Sequence, residues 1–161
     1  MIVLLMGVSG SGKTTIGNLL ADTLRWRFYD GDDFHPAANV QKMSSGIPLD
    51  DDDRQPWLNA LNTLMRECNE RNESAVVACS ALKNSYREIL AKEINDLHFV
   101  YLKGDYELIV QRLHSRKGHF MKPGMLRSQF DALEEPGTGV MIEIDAPPHD
   151  VVSMIRKALG V

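Results

Sequence analysis

The stretch Ile2-Val3-Leu4-Leu5-Met6-Gly7-Val8-Ser9-Gly10-Ser11-Gly12-Lys13-Thr14 decides how the rest of the chain is read. An unbroken apolar run leads into a complete G-x-x-x-x-G-K-S/T pattern. Such a run suits a strand buried on both faces. Beyond the pattern, Ile16, Leu19, Leu20 and Leu24 recur at helical spacing, so the glycines lie between a strand and a helix. There they let backbone N–H groups turn toward phosphate oxygens at a helix N-terminus. Lys13 adds a mobile positive charge for the outer phosphates, and Thr14 offers a hydroxyl to Mg2+. The expected phosphate contacts are Gly7, Val8, Ser9, Gly10, Ser11, Gly12, Lys13, Thr14 and Thr15.

Outward from this loop, apolar β-type runs recur at Arg27–Tyr29, Ala75–Ala78, His98–Leu102 and Val140–Ile144. Helical patterns separate them. Leu58, Leu61, Leu64 and Met65 mark one, Leu108, Ile109 and Leu113 another, and Val151, Val152, Ile155 and Leu159 the last. Strands alternating with helices predict a three-layer α/β/α domain over residues 1–161, its parallel sheet covered on both faces. Ligands of such sheets sit at the carboxyl ends of the strands. The segment 117–125 carries Gly, Pro, basic residues and a histidine, and reads as a short lid excursion.

Composition excludes several classes. With 161 residues, 43% apolar and 25% charged, the chain has the make-up of one soluble domain with a sizeable core. A net charge of −4 argues against a nucleic-acid binder. No apolar run approaches membrane-spanning length, and the N-terminal run reads as core rather than as a signal peptide. Cys68 and Cys79 lack metal spacing and read as buried reduced thiols of a cytoplasmic protein.

Chemistry-bearing residues follow the strands. Asp30, Asp32 and Asp33 cluster after the second one. Two apart, Asp30 and Asp32 would share a side of an extended chain, one serving Mg2+ through water and the other an attacking hydroxyl. Asp33 reads as a cap for the next helix, with Pro36 in its first position. Asp50 to Asp53 read as helix-capping acids. Arg54 has two readings, a grip on a substrate carboxylate or an ion pair with those aspartates. Lys83 and Arg87 would share a helical face, as a solvated surface or as a site for an anionic substrate. The third strand lacks a terminal aspartate, so metal ligation falls to Thr14 and the Asp30/Asp32 pair. Arg112, Arg116, Lys117, His119 and Lys122 either complement a helix C-terminus or form a lid whose arginines meet the phosphates. Pro147 either packs on an adenine or merely stops the last strand.

Together these motifs resemble the gluconokinase family, ATP-dependent kinases with a nucleoside-monophosphate-kinase-like fold. The resemblance rests on Gly7–Thr14, Asp30 to Pro36 with Asn39, Lys42-Met43 and Gly46, Pro48-Leu49, and Asp53-Arg54 with Pro56-Trp57-Leu58. It continues through Cys79 to Lys83 with Tyr86-Arg87, Arg116 to Met121, Ser128-Gln129-Phe130 and Leu133 to Pro136. It implies a five-stranded parallel sheet in the order 2-3-1-4-5, ATP and Mg2+ as cofactors, and a homodimer. It also implies phosphorylation of D-gluconate at its 6-hydroxyl. Carried onto this sequence, it makes Lys13, Asp32 and Arg116 catalytic, and Arg112, Arg116 and Pro147 further ATP contacts. Asp32, His35, Lys42, Arg54, Lys83, Arg87, His119 and Gln129 become the acceptor contacts, with Thr14 and Asp30 at the metal. The alternatives are another small-molecule kinase, acting on shikimate or a nucleotide, or a non-catalytic ATP-binding switch. A GTPase is disfavoured by the lack of an Asn-Lys-x-Asp motif.

Overall fold

β1 (Ile2–Met6) is the central strand of a five-stranded sheet, and all five of its residues are buried. The structure, a computed structural model, describes residues 1–115 and 123–161. The remaining strands are β2 (Arg27–Asp30), β3 (Ala75–Ala78), β4 (Leu97–Lys103) and β5 (Val140–Glu143). Their order is β2-β3-β1-β4-β5 and every pairing is parallel, as the resemblance implied. Register places Leu4 between Val77 of β3 and Phe99 of β4.

Alternation along β1 divides the core. Val3 and Leu5 face a cluster with Ile16 and Leu20 of α1 (Lys13–Leu24), Ile109 of α5 (Tyr106–Ser115) and Val151 and Ile155 of α7 (Pro148–Leu159). Ile2, Leu4 and Met6 face Trp57, Leu61 and Met65 of α3 (Asp51–Glu70) and Leu90 of α4 (Asn84–Ala91). Both faces are therefore dry, which is why β1 reads as a continuous apolar run rather than an alternating one. Two further helices are α2 (Ala37–Ser44) and α6 (Pro123–Ala132). No helix among the described residues is long and apolar enough to cross a membrane.

Several local expectations are refined. α3 begins with a capping box in which Asp50 accepts the Asp53 N–H and Asp53 accepts the Asp50 N–H. The expected cap from Asp33 is not formed. α2 starts at Ala37 after Pro36, without a side-chain cap. The second strand ends not in an extended segment but in a 3-10 turn, Gly31–Phe34, so Asp30 and Asp32 are not alternate residues of one strand. The turn forms because Asp30 accepts the Asp32 N–H, and because Gly31 has no side chain: a Cβ there would lie 2.4 Å from Ala78 O. α6 begins at Pro123, so the last three residues of the expected excursion are helical. The rest of it, with Arg116, Lys117, His119 and Lys122, lies outside the described residues.

Candidate active site

The glycine loop connects β1 to α1. Gly12 is the N-cap of α1 with φ 93°, a left-handed conformation that glycine adopts without steric cost. Lys13 folds back over the loop, its Nζ donating to Gly7 O and Val8 O, each at 3.0 Å. Thr14 Oγ1 donates to Asp30 Oδ2 at 2.7 Å, which joins the first turn of α1 to the end of β2. The same carboxylate accepts the Asp32 N–H at 3.1 Å. Among the described residues no three His, Cys, Asp or Glu side chains converge as a metal cage. The Thr14–Asp30 pair instead offers the hard oxygen donors suited to an Mg2+ that keeps most of its water and phosphate ligands.

On one side of the loop lies a cleft of about 270 Å3 lined by Gly10, Gly12, Thr15, Arg112, Ala146 and Pro148, among others. Arg112 Nη2 donates to Ile144 O, which holds the guanidinium beside the loop at the end of β5. Thr15 and Arg112 both line this cleft. Pro147 does not line this cleft; it caps α7, while its neighbours Ala146 and Pro148 form the wall.

On the other side is a larger cleft of about 560 Å3, formed by Pro48 to Asp52, Arg54, Leu82, Lys83, Tyr86 and α6 residues including Gln129. Arg54 makes no ion pair within 4 Å among the described residues. It donates to Leu49 O at 3.2 Å and lies 5.7 Å from the centroid of the Tyr86 ring. Of its two readings, the ion pair with the aspartates is therefore not formed. Lys83 Nζ is held by both oxygens of Asp51 at 2.8 and 3.0 Å, and Tyr86 Oη donates to Asp51 Oδ1. Those bonds, from Lys83 first and Tyr86 second, hold the Asp51 carboxyl below its usual range and raise Lys83.

Between the clefts, Asp32 projects into solvent with its side chain 89% exposed, 4.0 Å from His35 Nε2. His35 is packed against Trp57, ring centroids 4.2 Å apart, and contacts Asn39 Nδ2 at 3.3 Å. Trp57 Nε1 in turn donates to Gly31 O at 2.7 Å, pinning the Asp-rich turn to α3. Burial pulls the His35 pKa down, against the pull of Asp32. Beneath the site lies the Cys79 thiol, pushed up to about 12 by burial and inert as a nucleophile.

Two expected acceptor contacts are placed elsewhere. Arg87 is 7% exposed and donates to Ala81 O, Leu82 O, Asn84 Oδ1 and Glu134 O, binding the β3–α4 loop to the chain after α6. Lys42 is paired with both oxygens of Asp53 at 2.7 Å and ties α2 to the start of α3. Neither lines the larger cleft. Conversely, Asp51 and Tyr86 belong to its wall although their chain positions suggested only a helix cap and a helix face. Their spacing of 35 residues leaves no sequence signal.

A glycine loop between β1 and α1 on a parallel 2-3-1-4-5 sheet, with one cleft on the loop and a second, charged cleft joined to it through Gln129 and Ser9, defines a P-loop kinase of a small molecule. The family model described as "Shikimate kinase" matches residues 9–135. The fold is shared with shikimate kinase from Aquifex aeolicus (TM-score 0.59, 19% identity, covering 99% of this chain and 96% of that one). Far greater identity is found elsewhere. The thermosensitive gluconokinase of Escherichia coli K12 is 48% identical over 97% of this chain and 86% of its own length. The gluconokinase of Gluconobacter oxydans is 47% identical over 93% of this chain and 85% of its own. A solved gluconokinase from Sinorhizobium meliloti 1021 superposes with a TM-score of 0.85 at 39% identity, covering 98% of this chain and 93% of that one. The chain belongs to the gluconokinase family.

Proposed function

We infer that this kinase transfers the γ-phosphoryl group of MgATP to the 6-hydroxyl of D-gluconate. The observation that carries the reading is the larger cleft: an Arg54 guanidinium with no ion pair within 4 Å stands beside Lys83 and Tyr86, and Gln129 of the same cleft reaches Ser9 of the phosphate loop. A hydroxylated carboxylate matches that lining better than a nucleobase does, since Arg54 is built to take a planar anion through paired hydrogen bonds.

In this reading the loop amides and Lys13 hold the phosphates and stabilise charge on the transferring group. Thr14 and, through water, Asp30 would hold Mg2+, whose charge screens the phosphates during such transfers. Asp32 orients the 6-hydroxyl and takes its proton, while His35 and Trp57 hold the Asp32 turn in place. Arg112 contacts the nucleotide, and Arg116 and His119 act from the segment outside the described residues. A homodimer is part of the same reading on the strength of the family resemblance. A cytoplasmic location is supported by two buried free cysteines.

A coupled kinase assay across gluconate, other sugar acids, polyols, shikimate and nucleoside monophosphates tests the substrate. Gluconate is expected to give the highest kcat/KM. Faster turnover of shikimate or a nucleotide would overturn the assignment, and nucleotide binding without any turnover would favour a switch.

A further inference from the structure

Gln129 belongs to both halves of the site. It lines the acceptor cleft with Arg54, Lys83 and Tyr86, and its Oε1 accepts the Ser9 N–H of the phosphate loop at 2.7 Å. A single amide proton cannot serve this carboxamide and a phosphate oxygen equally well. The ionised phosphate oxygen is the stronger acceptor, so an arriving nucleotide takes the bond.

The chain that leaves α6, five residues beyond Gln129, is anchored to the loop between β3 and α4. Leu82 O accepts the Glu134 N–H at 2.9 Å, and Glu134 Oε2 accepts the Asn84 N–H at 2.5 Å. The buried Arg87 completes the anchor through Glu134 O at 2.9 Å. The anchored loop is the one that carries Lys83 into the cleft. The last turn of α6 and the residues just after it thus touch both the phosphate loop and the loop that carries Lys83, and the Ser9 bond is one that a nucleotide can take.

We propose that Gln129 is the positioning residue that couples the two substrates: bound nucleotide releases its carboxamide from Ser9, and the released group turns to the acceptor's hydroxyls. A free carboxamide offers two donors and one acceptor at the cleft wall, the pattern that a polyhydroxy acid can satisfy. Acceptor binding is then strengthened by nucleotide, and by reciprocity nucleotide binding is strengthened by acceptor. This inference rests on the gluconate reading above.

The test is calorimetric titration of the full chain with gluconate, with and without a saturating non-hydrolysable ATP analogue and Mg2+. Wild type should bind gluconate about 5-fold or more tighter when the analogue is present. Gln129→Ala should bring that ratio to about 1 while analogue affinity holds or rises, because a competitor for Ser9 has been removed. Gln129→Glu keeps an acceptor for Ser9 but sets a charge against the phosphates, and should weaken the analogue about 10-fold. A helix-packing role alone would lower the melting temperature and leave the ratio at its wild-type value. Retention of the ratio in Gln129→Ala, a wild-type ratio near 1, or wild-type analogue affinity in Gln129→Glu each overturns the proposal. A wild type that binds no gluconate in either state defeats the substrate reading instead, and the Gln129→Glu titration then still decides the Ser9 contact.

Discussion

Thr14 Oγ1 and Asp30 Oδ2 are joined by a 2.7 Å hydrogen bond that crosses the sheet from the start of α1 to the end of β2. β3 lies between β1 and β2, so the bond bridges over a strand rather than along one. The other oxygen of Asp30 accepts the Asp32 N–H. One carboxylate therefore holds both the Thr14 hydroxyl and the turn that presents Asp32.

Removing that charge should show in the metal requirement. Asp30→Asn keeps the shape of the turn but weakens the outer ligand sphere, where such changes cost about 10–100-fold in metal affinity or activity. The free Mg2+ concentration giving half-maximal turnover at saturating ATP should rise by that order. An unchanged Mg2+ dependence would remove Asp30 from the metal's surroundings.

Lys13→Ala should leave a folded but crippled enzyme. The ammonium donates to the carbonyls of Gly7 and Val8, groups of the loop itself. As a donor to a developing negative charge it should be worth about 3–4 kcal/mol in the transition state. Single-turnover rates together with a thermal melt check this. Near-normal kcat in a folded variant would exclude the residue from the chemistry.

The frame of this site was legible in the sequence because its signals are local. The strand–glycine loop–helix unit, the four aspartates before Trp57 and the strand order carried by the resemblance all appear as expected. What was not legible depends on partners far along the chain. Lys42 pairs with Asp53, 11 residues on, and Arg87 is buried against its own loop and Glu134 O, 47 residues on, so neither structural role is marked in the local sequence. Gln129 meets Ser9 across 120 residues. Asp30 and Asp32 were misplaced relative to each other for a different reason. The close approach of Gly31 to Ala78 O, which makes the chain turn there, is a tertiary contact with no local mark.

Arg87→Ala should be a stability variant. Its guanidinium serves three carbonyls and a side-chain amide from a buried position, and truncation leaves those acceptors without partners. A loss of about 2–4 kcal/mol is expected. Gluconate KM should rise as well, because the loop that carries Lys83 loses its anchor. Chemical denaturation that gave a midpoint equal to wild type would contradict the structural role.

His35 makes the protein's stability pH-dependent. Burial, the larger effect, lowers its pKa below the ordinary 6.5, and the Asp32 charge opposes that only in part. A folded pKa below the unfolded one means that the unfolded chain binds the proton more readily. The stabilisation is therefore complete above 6.5 and is lost as pH falls from there toward the folded value. Denaturation midpoints of wild type and His35→Phe, compared from about pH 7.5 to about pH 5, should converge or cross in favour of the variant. Phe retains a ring against Trp57, so a gap between the two that is constant with pH would contradict this account.

Asp32 and Asp33 stand side by side in the 3-10 turn, and only one should matter to the chemistry. Asp32 is exposed and lies 4.0 Å from His35 Nε2, whose ring is stacked on Trp57. Asp33 is also exposed, but it caps no helix and has no hydrogen-bond or ion-pair partner among the described residues. Asp32→Asn preserves size and removes the basic carboxylate, so kcat should fall roughly 10²–10⁴-fold with little change in ATP affinity. Asp33→Asn should alter stability by less than about 0.5 kcal/mol, the usual range for a surface position, and leave kcat near wild type. The two residues are separated by about a third of a turn in a 3-10 helix, so they face different directions despite their adjacency. Kinetics and thermal melts of both variants settle the assignment: an active Asp32→Asn beside an inactive, stable Asp33→Asn would transfer the proton-accepting role to Asp33.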